Sequence, residues 1–263
     1  MKHIALLFLI VFINSACSDS DAKLSYIESD SVKSCGDSIQ IKNYNGLNPS
    51  EITGIELEAD TLISYSEMKS NVNQIRRNID TSKLSHDSIA SIFSEIVLNK
   101  IIPYWYGTEW SFNGYTSKPK DGVIACGYFI STTLLHSGLN LNRYKLAQLS
   151  PILEAKSLAL NSEVIEINNR TISENIKQLK DTLQIGIYFI GFDEGHVGFL
   201  YKRQKDIYLI HSNFLEAKGV VVENIENSEV FSFYNKLYIA ELSTNRELIK
   251  RWITKEEIII VTE

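Results

Sequence analysis

One stretch of the chain decides the fold class: Ile185-Gly-Ile-Tyr-Phe-Ile-Gly-Phe-Asp-Glu-Gly-His-Val-Gly-Phe-Leu-Tyr-Lys-Arg-Gln-Lys-Asp-Ile-Tyr-Leu-Ile-His211. β-Branched and aromatic residues fill this stretch, and short turn-forming segments divide it, which is typical of successive β-strands. The pattern predicts strands over 185–192, 196–201 and 206–211, and further strands over 220–222, 231–242 and 258–261. Connections this short join antiparallel neighbours.

Upstream of this stretch the apolar residues recur with helical spacing. Helices are predicted over 65–78, from a cap region at 85–88 to Pro103, over 128–135, within 143–160, over 171–179 and from Thr244 onward. Pro103 is expected to end the second helix because proline lacks the backbone N–H that a helix interior needs. Gly138 is expected to end the third helix. Helices followed by an antiparallel sheet predict an α+β domain, placed at 61–263.

The N-terminal residues have the features of a secretion signal. Lys2 is positively charged, residues 4–13 are apolar, and Asn14-Ser-Ala-Cys17 ends in small residues before a cysteine. A membrane-spanning helix needs roughly 20 apolar residues, so a cleaved signal peptide over 1–17 is predicted. The segment resembles a bacterial lipobox, which implies lipid attachment at Cys17 and an exported outer-membrane lipoprotein facing the periplasm or the cell surface. An ordinary signal peptide cleaved near Ala16 is the alternative.

Charge and cysteine content exclude two classes of protein. The formal net charge is −6 and no basic stripe is present, which argues against nucleic-acid binding. The chain has three cysteines, too few for a disulfide framework. Residues 18–60 are rich in Ser, Asp, Asn and Glu and predict a polar tether with a short strand at 52–57. A disulfide between Cys35 and Cys126 is an alternative for those two thiols.

Cys126 and two histidines are the candidates for chemistry. Cys126 follows a turn and opens an apolar run, so its thiol is predicted at a helix N-terminus, where the helix dipole favours the thiolate. His196 and His211 lie on predicted strands. A hairpin turn centred in residues 202–205 would place the two histidines directly opposite each other, with Cβ atoms about 4.5–5.5 Å apart. A base beside a thiol, oriented by a third polar group, is the arrangement of nucleophilic catalysis.

These segments together resemble the NlpC-type cell-wall peptidases of the papain-like superfamily. The resemblance rests on Tyr104-Trp-Tyr-Gly107, on Cys126 opening a helix, on Gly195-His-Val-Gly-Phe-Leu-Tyr201 and on His211. It implies a papain-like fold in which the Cys126 helix packs on the sheet, with Cys126 as nucleophile, His196 as base and His211 as its orienting partner. The Cys126 backbone N–H would be an oxyanion donor.

The resemblance also bears on the substrate. It implies a substrate cleft at the aromatic segment, with Tyr104, Tyr106 and Trp110 as candidate contacts, and amide bonds of peptidoglycan stem peptides as the substrate. One departure stands next to the nucleophile, where Ala125 replaces the aspartate usual in the family. Because that aspartate helps to bind a substrate amine, the substrate of this chain is expected to differ.

Several functional alternatives remain open from the sequence. The same thiol chemistry would serve an acyl or amide transferase, or an amidase acting outside the cell wall. A non-catalytic binding lipoprotein would retain the fold without turnover. A zinc site formed by Cys126, His196 and His211 lacks the usual paired-ligand spacing. No cofactor is predicted, and the expected partners are a peptide substrate and a membrane reached through a lipid anchor.

Overall fold

Helices dominate the first part of the structure, a computed structural model that describes residues 62–193 and 195–262. Four of the predicted helices begin after residues whose side chains accept a hydrogen bond from the first turn, a stabilising cap: Ser64, Ser85, Thr171 and Asn245. The helices are α1 (Tyr65–Arg77), α2 (His86–Glu95), α3 (Ile102–Trp105), α4 (Cys126–His136), α5 (Arg143–Ala147), α6 (Pro151–Ala159), α7 (Ile172–Thr182), α8 (Glu229–Ser232) and α9 (Arg246–Thr254).

The strands form one antiparallel sheet. They are β1 (Ile165–Asn168), β2 (Gly186–Phe192), β3 (His196–Arg203), β4 (Asp206–Asn213), β5 (Gly219–Asn224) and β6 (Lys236–Glu241). Their order across the sheet is β1-β6-β2-β3-β4-β5, and each neighbouring pair is antiparallel. The predicted α+β class is therefore confirmed.

Each face of the sheet carries an apolar core, because successive side chains of a strand point to opposite faces. On β3, Phe199 and Tyr201 belong to the larger core, which also contains the helices before β1, whereas Leu200 belongs to a second core closed by α7. His196 lies four residues before Leu200 on the same strand, so its side chain points to the same face. Its ring stacks on Phe192 of the second core, with centroids 5.6 Å apart.

Helix α4 is the element that carries Cys126, and it packs on the face of the larger core. Phe129 of α4 contacts Trp105 and Phe199 with ring centroids 6.4 and 5.8 Å away. The helix ends where the sequence predicts, since Gly138 follows its last residues with a φ of 104°, a conformation that glycine adopts without a steric penalty. α4 is thereby fixed with its N-terminus at the end of β3.

The prediction that Pro103 ends a helix is wrong. After α2 the chain continues through a π-helical segment, Ile96–Ile101, into α3, which contains Pro103 in its first turn. A proline is tolerated there because a first-turn N–H has no partner within the helix. The helical region therefore ends after Trp105, two residues beyond Pro103.

Two strand predictions also need correction. The segment 231–242 begins with the end of α8, which Ser228 caps, and only its later part is strand β6. The segment 258–261 forms no strand: Ile258 donates to the Asn140 carbonyl and Val261 to the Ser157 hydroxyl, so single contacts hold it in place. Strand β1 was not predicted, because four residues are too few to show a clear alternation.

The predictions for the N-terminal region lie outside the described residues. They comprise the signal peptide at 1–17, lipid attachment at Cys17, the tether at 18–60 with its strand at 52–57, and Cys35. Within the described part of the chain, no helix has the length and apolar character needed to cross a membrane.

Candidate active site

Cys126 is the first residue of α4. The preceding residue, Ala125, is the N-cap and offers no side-chain hydrogen bond to the first turn, so the N–H groups at this end are not satisfied by a cap. The next residue, Gly127, packs so tightly that a Cβ would come 2.6 Å from the carbonyl oxygen of Ala147. Close packing of α4 on α5 therefore explains why glycine follows this cysteine.

The two histidines are hydrogen-bonded to each other. His196 Nε2 and His211 Nδ1 are 2.8 Å apart, and both residues are buried. The register of the hairpin differs from the prediction, because its turn is the two-residue segment between Arg203 and Asp206. The directly opposite pairing of the histidines is therefore wrong: the register brings His211 opposite Gly198, and His196 is its diagonal neighbour on the same face.

Gly198 makes this diagonal contact possible. A Cβ on Gly198 would lie 2.8 Å from a methyl carbon of Leu209 and 3.1 Å from the Cβ of His211, closer than non-bonded carbon atoms pack. The absence of a side chain leaves room for the two imidazoles to meet across it. The His-Val-Gly segment thus has a physical reason in the packing of β3 on β4.

Glu223 extends the row of polar groups, and no pattern in the sequence indicates this role. Its Oε2 lies 3.2 Å from His211 Nε2 and accepts a hydrogen bond of 2.5 Å from the Ser228 hydroxyl. The other oxygen accepts from Asn213 Nδ2 at 3.2 Å. Glu223 reaches His211 because β5 pairs with β4, a contact that no local pattern reveals.

Protonation states follow from these partners. The hydrogen bond with His211 lowers the pKa of Glu223, so this carboxylate is ionised and can only accept. His211 then carries its hydrogen on Nε2 and accepts at Nδ1, because burial lowers its pKa and keeps it neutral. His196 consequently donates from Nε2. Burial, followed by the electrostatic influence of the neighbouring His211 ring, also lowers the pKa of His196, which leaves its Nδ1 as an unprotonated base.

The thiol of Cys126 is free and partly buried. Its sulfur lies 4.0 Å from the carbonyl oxygen of Gly195, which is its hydrogen-bond partner in place of the His196 ring. The pKa of the thiol is raised to about 11, mainly by burial and then by the carboxyl of Glu154, while the backbone N–H of Val197 opposes the rise. The expectation that the helix dipole favours a thiolate is therefore wrong for the resting site, because lost hydration outweighs the helix N-terminus.

Cys126 and His196 line one cleft of about 550 Å³. Helix α4 lies on one face of the sheet and His196 points to the other, so the cleft that both residues line lies at the end of β3. The other lining residues are mainly aromatic or small: Trp110, Phe112, Ala125, Gly127, Tyr128, Ala147, Gln148, Leu149, Gly195, Phe214 and Tyr234. Trp110 is thus placed in the cleft, as expected from the sequence.

The structure does not place Tyr104 and Tyr106 in this cleft. Tyr104 packs on Tyr65 with ring centroids 5.2 Å apart and donates its hydroxyl hydrogen to the Ile63 carbonyl. Tyr106 packs against the larger core, and its hydroxyl oxygen is buried without a hydrogen-bond partner. Both rings are held away because the chain enters the cleft only after Gly107. Phe214 and Tyr234, from distant parts of the chain, line the cleft in place of Tyr104 and Tyr106.

The remaining described histidines serve helix ends. His136 belongs to the last turn of α4, and its Nδ1 lies 2.8 Å from the Tyr65 hydroxyl. His86 is the first residue of α2. Among the described residues, no group of three His, Cys, Asp or Glu side chains has the geometry of a metal site.

Comparison of the chain with protein-family models, with curated proteins and with solved structures gives no significant match.

Proposed function

We propose that this protein is a cysteine hydrolase of papain-like architecture that cleaves amide bonds. The observation that carries the proposal is the hydrogen-bonded row His196–His211–Glu223, which ends in the cleft lined by Cys126. Such a row has a catalytic use, because it fixes one ring nitrogen as a base. A buried structural cysteine would need none of these partners.

The proposed reaction begins from the neutral pair. A substrate carbonyl enters the cleft beside Cys126, the thiol proton passes to His196 Nδ1, and the sulfur bonds to the carbonyl carbon. The backbone N–H of Cys126, at the start of α4, donates to the developing oxyanion. His196 then gives the proton to the leaving amine as the C–N bond breaks. Water, activated by the same nitrogen, hydrolyses the thioester and restores the thiol.

His211 and Glu223 act through His196 in this scheme. As His196 accepts the thiol proton it becomes positively charged, and His211 Nδ1 accepts the hydrogen bond from its Nε2. The Glu223 carboxylate stabilises the charge through His211. A buried base with a lowered pKa would otherwise hold a proton poorly, so the row supports proton transfer from a thiol whose own pKa is raised.

The proposed substrates are amide bonds of peptidoglycan stem peptides. Support comes from the resemblance to NlpC-type peptidases and from the expectation of an exported, lipid-anchored protein. An amidase or transferase acting on another amide would use the same residues. The aromatic lining of the cleft favours that second candidate, because apolar walls bind apolar groups most strongly.

Cys126→Ala is the variant that tests the proposal. Purified sacculi are incubated with the wild-type mature protein or with the variant, and the released fragments are identified by mass spectrometry. New amino and carboxyl termini are expected with the wild-type protein alone, because alanine removes the nucleophile and little volume. Thermal unfolding within a few degrees of wild type shows that the variant is folded. Equal release by both proteins would refute the proposed nucleophile, and release by neither would leave the transferase or non-catalytic alternatives.

A further inference from the structure

We propose that the cleft selects substrates whose acyl group, the part attached to the carbonyl that Cys126 attacks, is apolar and uncharged. This inference rests on the proposed function for its chemistry, and it adds a substrate class that excludes free amino and carboxylate groups next to the reacting bond.

The walls of the cleft are built from five aromatic rings. They belong to Trp110, Phe112, Tyr128, Phe214 and Tyr234. Trp110 and Phe214 lie with ring centroids 6.2 Å apart, so these two form one continuous wall. The Phe214 ring is also 5.3 Å from the ring of His196. An acyl chain bound beside the base would therefore contact aromatic carbon.

Phe112 shows that this surface is open to a ligand. Although it lines the cleft, its side chain is 80% exposed. Removing apolar surface from water gains about 25 cal/mol per Å², so covering Phe112 with an apolar group is favourable. Covering it with a charged group would gain nothing and would strip water from the charge.

Two ionisable side chains, those of Glu154 and Arg143, pack against residues of the cleft wall. Glu154 is buried beneath Gly127, and burial raises its pKa well above the ordinary carboxyl value. Arg143 lies 5.3 Å over the Tyr128 ring and donates to the Tyr115 carbonyl. Neither residue lines the cleft. None of the described lining residues is Asp, Glu, Lys or Arg.

The polar groups of the wall are neutral as well. Gln148 Nε2 donates to the Tyr128 hydroxyl at 3.0 Å, which leaves the Gln148 carbonyl oxygen and the Tyr128 hydroxyl hydrogen for a ligand. Such a pair matches a neutral amide group. Together with the uncharged Ala125 at the N-cap of α4, these contacts favour an uncharged acyl group over one that ends in a free amine.

A series of p-nitrophenyl esters with one leaving group tests this selectivity. The acyl groups are acetyl, butyryl, 3-phenylpropanoyl, 4-sulfobutyryl and 4-(trimethylammonio)butyryl, of which the last two carry a negative and a positive charge and cannot displace the leaving group themselves. In each reaction the sulfur bonds to the acyl carbon, p-nitrophenolate leaves with the bonding electrons, and the thiol proton passes to His196 before water cleaves the thioester. The rate is followed as release of p-nitrophenolate, with Cys126→Ala as the blank.

The expected order of kcat/KM is 3-phenylpropanoyl above butyryl above acetyl, with at least about tenfold between the first and the last, because each buried CH₂ contributes about 0.8 kcal/mol. The 4-sulfobutyryl and 4-(trimethylammonio)butyryl esters should each react at least about tenfold more slowly than the butyryl ester. Equal rates for the neutral esters, or a preference for either charged ester, would overturn the inference.

Phe112→Ala and Phe233→Ala form a matched pair of variants. Both residues are exposed phenylalanines, but only Phe112 lines the cleft. Phe112→Ala should reduce the preference for 3-phenylpropanoyl over acetyl severalfold, and Phe233→Ala should leave it unchanged.

Glu194 precedes Gly195 in the sequence, so Glu194→Gln serves as a charge control. If Glu194→Gln abolished the discrimination against the 4-sulfobutyryl ester, that single charge and not the apolar wall would explain it.

Binding to Cys126→Ala separates this inference from the proposed function. Tryptophan fluorescence reports binding of 3-phenylpropanamide and of succinamate, because Trp110 lines the cleft. The neutral amide is expected to bind more tightly. If no ester reacts but this preference is observed, the proposed function fails and the apolar selectivity stands. If the esters react without any preference, only the selectivity fails.

Discussion

At the scale of single residues, the proposed chemistry depends on where three hydrogen atoms lie, on Cys126, His196 and His211. The Glu223 carboxylate decides the positions of the two histidine hydrogens. It accepts from His211 Nε2, so His211 Nδ1 carries no hydrogen and must accept from His196 Nε2. The thiol keeps its own hydrogen at neutral pH because burial raises its pKa. The resting site is therefore a neutral pair, and the proton moves only when substrate is attacked.

Glu223→Gln should lower kcat at least about tenfold with little change in KM, because a neutral amide no longer fixes the His211 tautomer or stabilises the charge on His196. His211→Asn should retain more activity than His211→Ala, since an amide oxygen still accepts from His196. Both effects are measured as kcat and KM across pH 5–9. Glu226→Gln, which removes a surface carboxylate paired with Lys180, is the control. Wild-type kinetics in Glu223→Gln would remove this residue from the mechanism.

The raised thiol pKa predicts slow alkylation of Cys126 by iodoacetamide at pH 6. The rate should rise about tenfold per pH unit and should level off only near pH 11, because the thiolate is the reacting form. Peptide mapping distinguishes Cys126 from Cys35, and the unfolded protein should level off near the ordinary value of about 8.5. Glu154→Gln should shift the plateau to lower pH. A plateau below pH 8 in the folded wild-type protein would contradict the effect of burial.

At the scale of secondary-structure elements, register is what brings the histidines together. Their shared face was predictable because side chains alternate between the two faces of a strand. Moving the turn by one residue shifts the paired partner by two residues, which leaves both histidines on the same face. The diagonal contact was not predictable, because it depends on the two-residue turn after Arg203 and on the space beside Gly198. The start of α4 at Cys126 was predictable from the turn and the apolar run that follows.

Gly198→Ala should abolish activity and cost about 1–3 kcal/mol of stability, because the added methyl overlaps Leu209 and His211. Gly191→Ala on the neighbouring strand is a matched control, since its Cβ would lie 2.7 Å from the Cβ of Pro151. Both variants should unfold at lower urea concentration. At a temperature where both are folded, only Gly198→Ala should be inactive. Full activity of the folded Gly198→Ala protein would show that the histidine pair tolerates displacement.

At the scale of the whole molecule, two buried histidines, His196 and His211, and the half-buried His136 make stability depend on pH. Burial lowers the pKa of His136 from 6.5 to about 4, and it also lowers those of His196 and His211. Between pH 6.5 and 4 the unfolded chain therefore binds more protons than the folded one at these sites, so these histidines make the free energy of unfolding fall as the pH is lowered through this window.

Urea unfolding at pH 7.5, 6, 5 and 4.5 measures this decline. His136→Gln should make the decline of the free energy of unfolding less steep, because the half-buried imidazole is removed. Tyr65→Phe, which removes the hydroxyl beside His136 Nδ1, should lower stability at each pH and leave the slope close to wild type. Parallel curves for wild type and His136→Gln would show that His136 does not contribute.

The sequence by itself determined the α+β class, most helix positions, the start of the Cys126 helix and the shared face of His196 and His211. These features follow from periodicity, capping residues and the alternation of side chains, all of which act within a few residues. The aromatic residues of the cleft were predicted only in part, since Trp110 lies near Cys126 in the chain whereas Phe214 and Tyr234 are remote from it.

Only the tertiary structure decided the turn register, the role of Glu223, the rings of the cleft and the protonated state of the thiol. Each depends on residues far apart in the sequence, such as Glu154 beneath Gly127 or β5 beside β4. Burial is the physical reason why the Cys126 thiol stays protonated. A helix N-terminus favours a thiolate, but the loss of water around the sulfur costs more, and how much water is lost depends on the packing of the whole chain.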